Sequence, residues 1–238
     1  MSSGDLRRSG QYNHNRVSFQ IRPRSYRETV VVPGWRGKQC PDPLLNLRQH
    51  RKAADALSRA GYDVEEVTPP LYEEVLATWG QLLMGDYASL WDAMAPMMGR
   101  DGRHFFGSLF DLYPKISSAA DMSQLLITRD RLARAWSEFM ADYPLILSPT
   151  WTQLPFTHGF DVESQAAIAQ TMEMMRTVTP ANFLGLPSAC VPVTHDQQTG
   201  LPIGVLLTGR RFRDDQCLDA AEAIERASDV RTPIDPSW

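Results

Sequence analysis

The sequence alternates segments with strand and helix signals and so predicts an α/β fold. Three stretches carry that prediction. In the first, Ser188–Val193 is a short apolar run, HDQQTG supplies a turn, and Ile203–Thr208 is a second, almost wholly apolar run. A run apolar at nearly every position suits a strand covered on both faces. In the second, Leu125, Leu126, Arg129, Leu132, Ala133, Trp136, Phe139 and Met140 keep helical spacing from Ser123 to Met140, the pattern of a helix that lies on a sheet or on another helix. The third, Leu47–Val67, reads as a helix, a glycine and a strand.

Residues 1–40 differ from the remainder of the chain. They hold seven arginines and one lysine against Asp5 and Glu28, a balance of +6 within a chain of formal charge −4, so residues 41–238 carry −10. The Arg-rich pieces sustain neither periodicity, and only Glu28–Val32 suits a brief strand. The expectation is therefore a disordered segment over 1–40, non-native or out of frame, joined to one folded unit over 41–238.

From Leu47 the elements become regular. Leu47, Ala54 and Leu57 share one helical face, and Gly61 stands where a left-handed C-terminal cap is expected. Tyr62–Val67 reads as a strand closed by Pro69-Pro70. Leu71 to about Leu90 reads as a helix with Leu71, Val75, Trp79, Leu82 and Leu83 as its apolar stripe. Met84–Tyr113 is rich in Met and aromatic residues and interrupted by Gly85, Gly99, Gly102 and Gly107; it suits core packing or the wall of an apolar pocket. The helix at Ser123 can be capped by Asp121 or Ser123, and Tyr143-Pro144 ends it. Leu145–Ser148 is an apolar strand that meets Pro149-Thr150-Trp151-Thr152. Asp161–Thr177 reads as a helix with Ile168, Met172 and Met175 on one side and Asp161 or Ser164 near its start. After the hairpin, Asp214 or Asp215 can cap a last helix whose apolar positions are Cys217, Ala220, Ala221 and Ile224.

Composition narrows the function classes. An apolar content of 43% is ordinary for a packed protein, and the net charge gives no reason to expect nucleic acid or acidic lipid. No apolar run is long enough to span a membrane. Cys40, Cys190 and Cys217 are widely spaced and odd in number, which argues against a disulfide framework and makes a reducing cytoplasm the simplest setting. The five histidines have no ligand spacing with one another or with cysteine, so no metal site is expected.

The run N-F-L-G-L-P-S-A-C-V-P-V at 182–193, followed by G-L-P-I-G-V-L-L-T-G-R-R-F at 200–212, resembles the C-terminal end of the amidase signature family. Segments 145–155 and 179–226 extend the likeness in order, and with AADALSRAGYDVEEVTPP it covers roughly residues 41–230. The resemblance implies a partial mixed β-sheet covered by helices, like the C-terminal half of that fold. It also implies hydrolysis of a small amide or ester with no metal or organic cofactor. Family members use a lysine and two serines, the nucleophile lying in a Gly/Ser-rich stretch whose backbone also holds the oxyanion. This sequence has no Gly-Gly pair and only Lys38, Lys52 and Lys115. Lys115-Ile116-Ser117-Ser118 lacks both the family's spacing and its glycines. No catalytic residue is carried over.

What the resemblance does imply is shape: Thr150, Trp151, Thr179, Asn182 and Phe183 would face the acyl-binding channel, although Asn182 suits equally a side chain bonding local backbone at a turn. The expected entity is a C-terminal amidase fragment, inactive alone, that self-associates or meets a partner chain through exposed apolar surface. Half of a split amidase and a non-catalytic binding or scaffolding remnant are the competing expectations.

Overall fold

The computed structural model describes residues 29–32, 43–228 and 230; Cys40, most of the 1–40 segment and the side chain of Leu47 lie outside the described residues. In chain order the elements are β1 (Thr29–Val32), α1 (Pro43–Arg59), β2 (Asp63–Glu66), α2 (Tyr72–Met94), α3 (Arg100–Leu109), α4 (Ala119–Asp142), β3 (Leu145–Pro149), α5 (Gln165–Met174), α6 (Thr179–Leu184), β4 (Ser188–His195), β5 (Pro202–Gly209) and α7 (Asp214–Ala227). The strands form one sheet in the order β2-β1-β3-β5-β4. β1 pairs in parallel with β2 and β3, while β5 runs antiparallel to β3 and β4, so the sheet is mixed.

Connection lengths follow from pairing. The parallel β1–β2 pair needs a crossover, which α1 supplies, whereas the antiparallel β4–β5 pair closes through a tight turn. In that turn the Asp196 carboxylate accepts from the Gln198 and Thr199 amides and from the Thr199 hydroxyl. These hydrogen bonds, the hydroxyl first, hold its pKa below the ordinary carboxylate value. α1 ends as its sequence predicts: Gly61 takes φ +97°, its N–H bonds to Ser58 O, and Tyr62 N–H bonds to Leu57 O. Those paired bonds satisfy the last carbonyls of the helix.

The sheet is covered on both faces, so β3 is buried along its whole length. Leu145 and Leu147 join Val191, Val193, Val205 and Leu207 under α1 and α7, where Ala53, Leu57, Cys217, Ala220 and Ile224 pack. Ile146 points the other way, into Val75, Leu132, Trp136, Met140, Phe183 and Leu184 from α2, α4 and α6. The two-residue period of a strand produces this division. A third cluster, around Met84, Leu109 and Ile168, joins α2, α3 and α5.

Several boundaries differ from expectation. α4 begins four residues before Ser123, and Ser118 caps it: Asp121 N–H donates to Ser118 Oγ at 3.1 Å, while the Asp121 carboxylate accepts from Ser117 N–H at 3.2 Å. Asp161 lies in a separate 3-10 turn, and Ser164 caps α5 by accepting from Ala167 N–H. At α7 Arg213 occupies the cap position; Asp214 and Asp215 sit in the first turn, where the helix dipole favours negative charge. Leu71 does not continue the α2 stripe but precedes the helix with φ 53° and is 44% exposed. Gly85, Gly102 and Gly107 lie inside helices rather than interrupting them. Residues 179–184, to which the sequence assigns no element, form a short helix with Pro180 in its first turn and Gly185, φ +66°, ending it.

Phe212 also has positive φ, 63°, although its side chain is 86% exposed and nothing in the core holds it there. A left-handed backbone costs a non-glycine residue about 1–2 kcal/mol, while glycine adds about 0.4–1 kcal/mol of unfolded-state entropy. The first effect is larger. Phe212→Gly is expected to stabilise the chain by about 0.5–1 kcal/mol, read as a higher urea midpoint at unchanged slope.

Candidate functional site

The strand order marks one end of the sheet. The chain leaves β1 through α1 on one face, then returns from β2 to β3 through helices on the other face, so the direction of travel reverses between β1 and β3. Crevices open beyond the carboxyl ends of strands at such switch points. β3 delivers Thr150 and Trp151 to that end.

The loop after β3 is fixed by backbone bonds on both sides. Thr150 N–H donates to Gly204 O at 3.2 Å, Thr177 Oγ1 donates to Thr150 O at 2.8 Å, and Thr152 N–H donates to Met174 O at 3.2 Å. The Thr150 hydroxyl and the exposed Cys190 thiol lie 3.0 Å apart. Gly204 makes that approach feasible: a Cβ there would stand 3.2 Å from Thr150 Oγ1, 3.3 Å from Cys190 Sγ and 3.2 Å from Val191 O. Trp151, half-buried, begins a row of rings, with centroids 6.1 Å from Phe156 and then 5.4 Å from Phe156 to Phe160.

Arg176 anchors the segment that Thr150 and Thr152 bind. Its side chain is only 5% exposed and pairs with Glu173 and with Glu73 of α2. The guanidinium lies 5.7 Å from the Tyr72 ring centroid, and Tyr72 OH donates to Arg176 O at 2.6 Å. Burial opposes the Arg176 charge, but the hydrogen bond and charge of Glu173, with Glu73, outweigh it and raise the pKa. Burial likewise pushes the Tyr72 phenol up, partly offset by Arg176. The effect is to tie α2, the end of α5 and loop 150–152 into one unit.

The five residues expected at the channel divide. Thr150 and Trp151 follow directly on the carboxyl end of β3, beside the switch point of the sheet. Asn182 is exposed on α6, its Oδ1 accepting from Trp79 Nε1 at 2.9 Å, a partner 103 positions away rather than local backbone. Thr179 is 4% exposed, its hydroxyl donating to Met175 O at 3.1 Å. Phe183 is 6% exposed among Val75, Leu132 and Trp136, with Arg129 stacked at 5.7 Å and donating to its carbonyl. Cys190, Thr177 and Gly204 join the site without having been expected there; a lone glycine inside a strand pattern is the signal that marks close approach.

The two described cysteines have opposite settings. Burial pushes the Cys217 thiol up from 9.0 to about 11, only partly opposed by a hydrogen bond from the Gly209 backbone. Folding therefore favours the neutral thiol: this contribution to stability is present below pH 9 and is lost as pH rises through 11. At pH 7, maleimide labelling of the native chain is expected to fall by one equivalent in Cys190→Ser and to stay unchanged in Cys217→Ser; native labelling at Cys217 contradicts its burial.

Among the described residues no group of three or more His, Cys, Asp or Glu side chains is disposed to hold a metal, and no helix is long and apolar enough to cross a membrane. The family model described as Amidase matches residues 15–218, starting upstream of Pro41, where the likeness read from the sequence stops. Indoleacetamide hydrolase of Bradyrhizobium japonicum is 35% identical over 183 residues, which are 76% of this chain and 38% of that protein. Fatty acid amide hydrolase of Medicago truncatula is 32% identical over 111 residues, 46% of this chain and 18% of that one. The solved structure of Kluyveromyces lactis allophanate hydrolase shares the fold, superposing with a TM-score of 0.64 at 20% identity and covering 84% of this chain and 32% of that chain. The chain thus spans well under half the length of these relatives. With the family matched over most of its residues and the fold shared with a solved structure, the chain belongs to the amidase signature family.

Proposed function

We propose that this chain forms the framework and one acyl-channel wall of an amide hydrolase, and that it does not catalyse hydrolysis alone. The observation that carries the reading is the loop at the carboxyl end of β3, beside the β1–β3 switch point, where Thr150 bonds to Gly204 and Thr177, Thr152 bonds to Met174 next to the Arg176 cluster, and Trp151 lies between them. In this reading Thr150, Trp151 and Asn182 contact the acyl group, while Thr179 and Phe183 act from beneath by seating α6. The ring row Trp151-Phe156-Phe160 suits a flat acyl group, of the kind named for the indoleacetamide hydrolase relative. Cysteine usage supports a cytoplasmic setting.

In this reading the triad of one lysine and two serines is not assembled among the described residues. Lys52 is exposed on α1, and Lys115 is exposed beside Ser117 and Ser118, whose backbone and hydroxyl serve the start of α4. A serine-directed fluorophosphonate is therefore expected to leave the purified chain unlabelled; stoichiometric labelling overturns the reading. A second reading, half of a split amidase, is favoured by the adjacent Leu126 and Ile127 on α4, 50% and 62% exposed, and by Met97 at 79%. Co-purification with a chain that carries the lysine and serines supports that reading, and a chain that binds amides without any partner supports a scaffolding remnant instead.

A further inference from the structure

The end of the sheet opposite Thr150 borders a cavity. β5 meets Thr150 at Gly204 and ends five residues later at Gly209, about 16 Å away at about 3.3 Å per residue. Beyond Gly209, Arg210 and Arg211 border a cavity of about 140 Å³. At about 30 Å³ per water that is room for about five waters. It is lined by Ala133, Trp136, Ser137 and Met140 of α4 with Leu184 and Leu186, and its rim is Arg210 and Arg211; Trp136, Met140 and Leu184 are at most 2% exposed, so the apolar surface open to a ligand is that of Ala133 and Leu186.

The rim is pre-arranged. Arg211 Nη2 donates to Leu184 O at 2.6 Å, the last carbonyl of α6 before the left-handed Gly185, which fixes the guanidinium while using one of its five donors. Neither Arg210 nor Arg211 pairs with a carboxylate among the described residues, whereas Arg213 in the same turn is bound to Asp215. The next residue, Phe212, sits in the strained left-handed region with its ring in solvent.

We propose that this cavity binds a small amphipathic carboxylate, its charged head between Arg210 and Arg211 and its apolar body against Ala133 and Leu186, over the buried Trp136, Met140 and Leu184. A guanidinium fork matches a carboxylate with two parallel bonds, and an apolar pocket with few polar groups fixes the remainder by shape. A bare anion such as phosphate leaves the apolar surface unused, and a neutral amide leaves the rim unanswered. Carboxylates of this class include those that amide hydrolysis releases, so the site can report product to the far end of the same sheet. That last link rests on the proposed function; the binding itself does not.

Calorimetric titration of the full chain tests it with phenylacetate, phenylacetamide and inorganic phosphate. Phenylacetate is expected to bind saturably, with the amide and phosphate each at least tenfold weaker. Arg210→Gln and Arg211→Gln should each weaken phenylacetate at least tenfold. Arg211→Gln also removes the bond to Leu184, so Arg210→Gln, with an unchanged melting temperature, is the decisive variant. Absence of saturable binding, equal binding of phosphate, or affinity indifferent to Arg210→Gln overturns the proposal. The fluorophosphonate result is independent of all three, so failure here and failure of the proposed function remain distinguishable.

Discussion

The purified 238-residue chain is expected to hydrolyse carboxylic amides no faster than buffer, and a second chain bearing a glycine-rich serine segment and a lysine is expected to bring turnover. The size of the first effect follows from what acyl transfer needs. Loss of an activated serine removes on the order of a million-fold in turnover, and each missing oxyanion donor removes about a hundred- to a thousand-fold more when it acts independently. Positioning of the substrate cannot replace those terms, because placing an amide does not activate a nucleophile. The measurement is amide release over hours, for the chain alone and with the second chain added. Turnover hundreds-fold above buffer by the chain alone, abolished by replacing one of its own serines, defeats the reading.

Arg176→Met is expected to destabilise the fold by about 2–3 kcal/mol, roughly 5–10 °C in melting temperature for a chain of this size. Removing one member of a buried ion pair costs about 3–5 kcal/mol when the other charge is stranded. Here the carboxylates are not equally trapped: the Glu73 side chain is 78% exposed and that of Glu173 35%, so both can recover water and the cost falls toward the low end. Methionine also retains much of the aliphatic bulk. The functional consequence is local. Thr152 and Thr150 bond to Met174 and Thr177, on either side of Arg176, so amide exchange at 150–152 should accelerate more than in β5. Uniform acceleration through the sheet would show that Arg176 stabilises the fold without positioning the loop.

Much of the fold was legible because its signals are local. The apolar runs of β3 and β5, the periodicity of α4, the glycine that ends α1 and the turn before β5 each act within a few residues, and each formed where its residues predicted. The family motif at 182–212 was legible for the same reason. Helix starts were less so. Ser118, Asp121 and Ser123 are all competent caps within one turn, and which of them works depends on how α4 seats against α2 and the sheet.

The site depended on distance along the chain. Thr150 and Trp151 were readable from the end of a strand, but Cys190 meets Thr150 across 40 positions, Asn182 meets Trp79 across 103, and Arg176 meets Glu73 across 103. No periodicity encodes those partners. Thr179 and Phe183 make the same point from the other side: both lie in the stretch that carries the family likeness, yet Phe183 is buried in the core between α2 and α4 and the buried Thr179 donates to Met175 O. By itself the sequence determined the family, the strands β3, β4 and β5, the helices α1, α2, α4 and α7, and that no Gly-Gly pair occurs in these 238 residues. Only the tertiary structure decided which side chains stand exposed at the carboxyl end of β3, because exposure and pairing are set by the elements that pack above each residue.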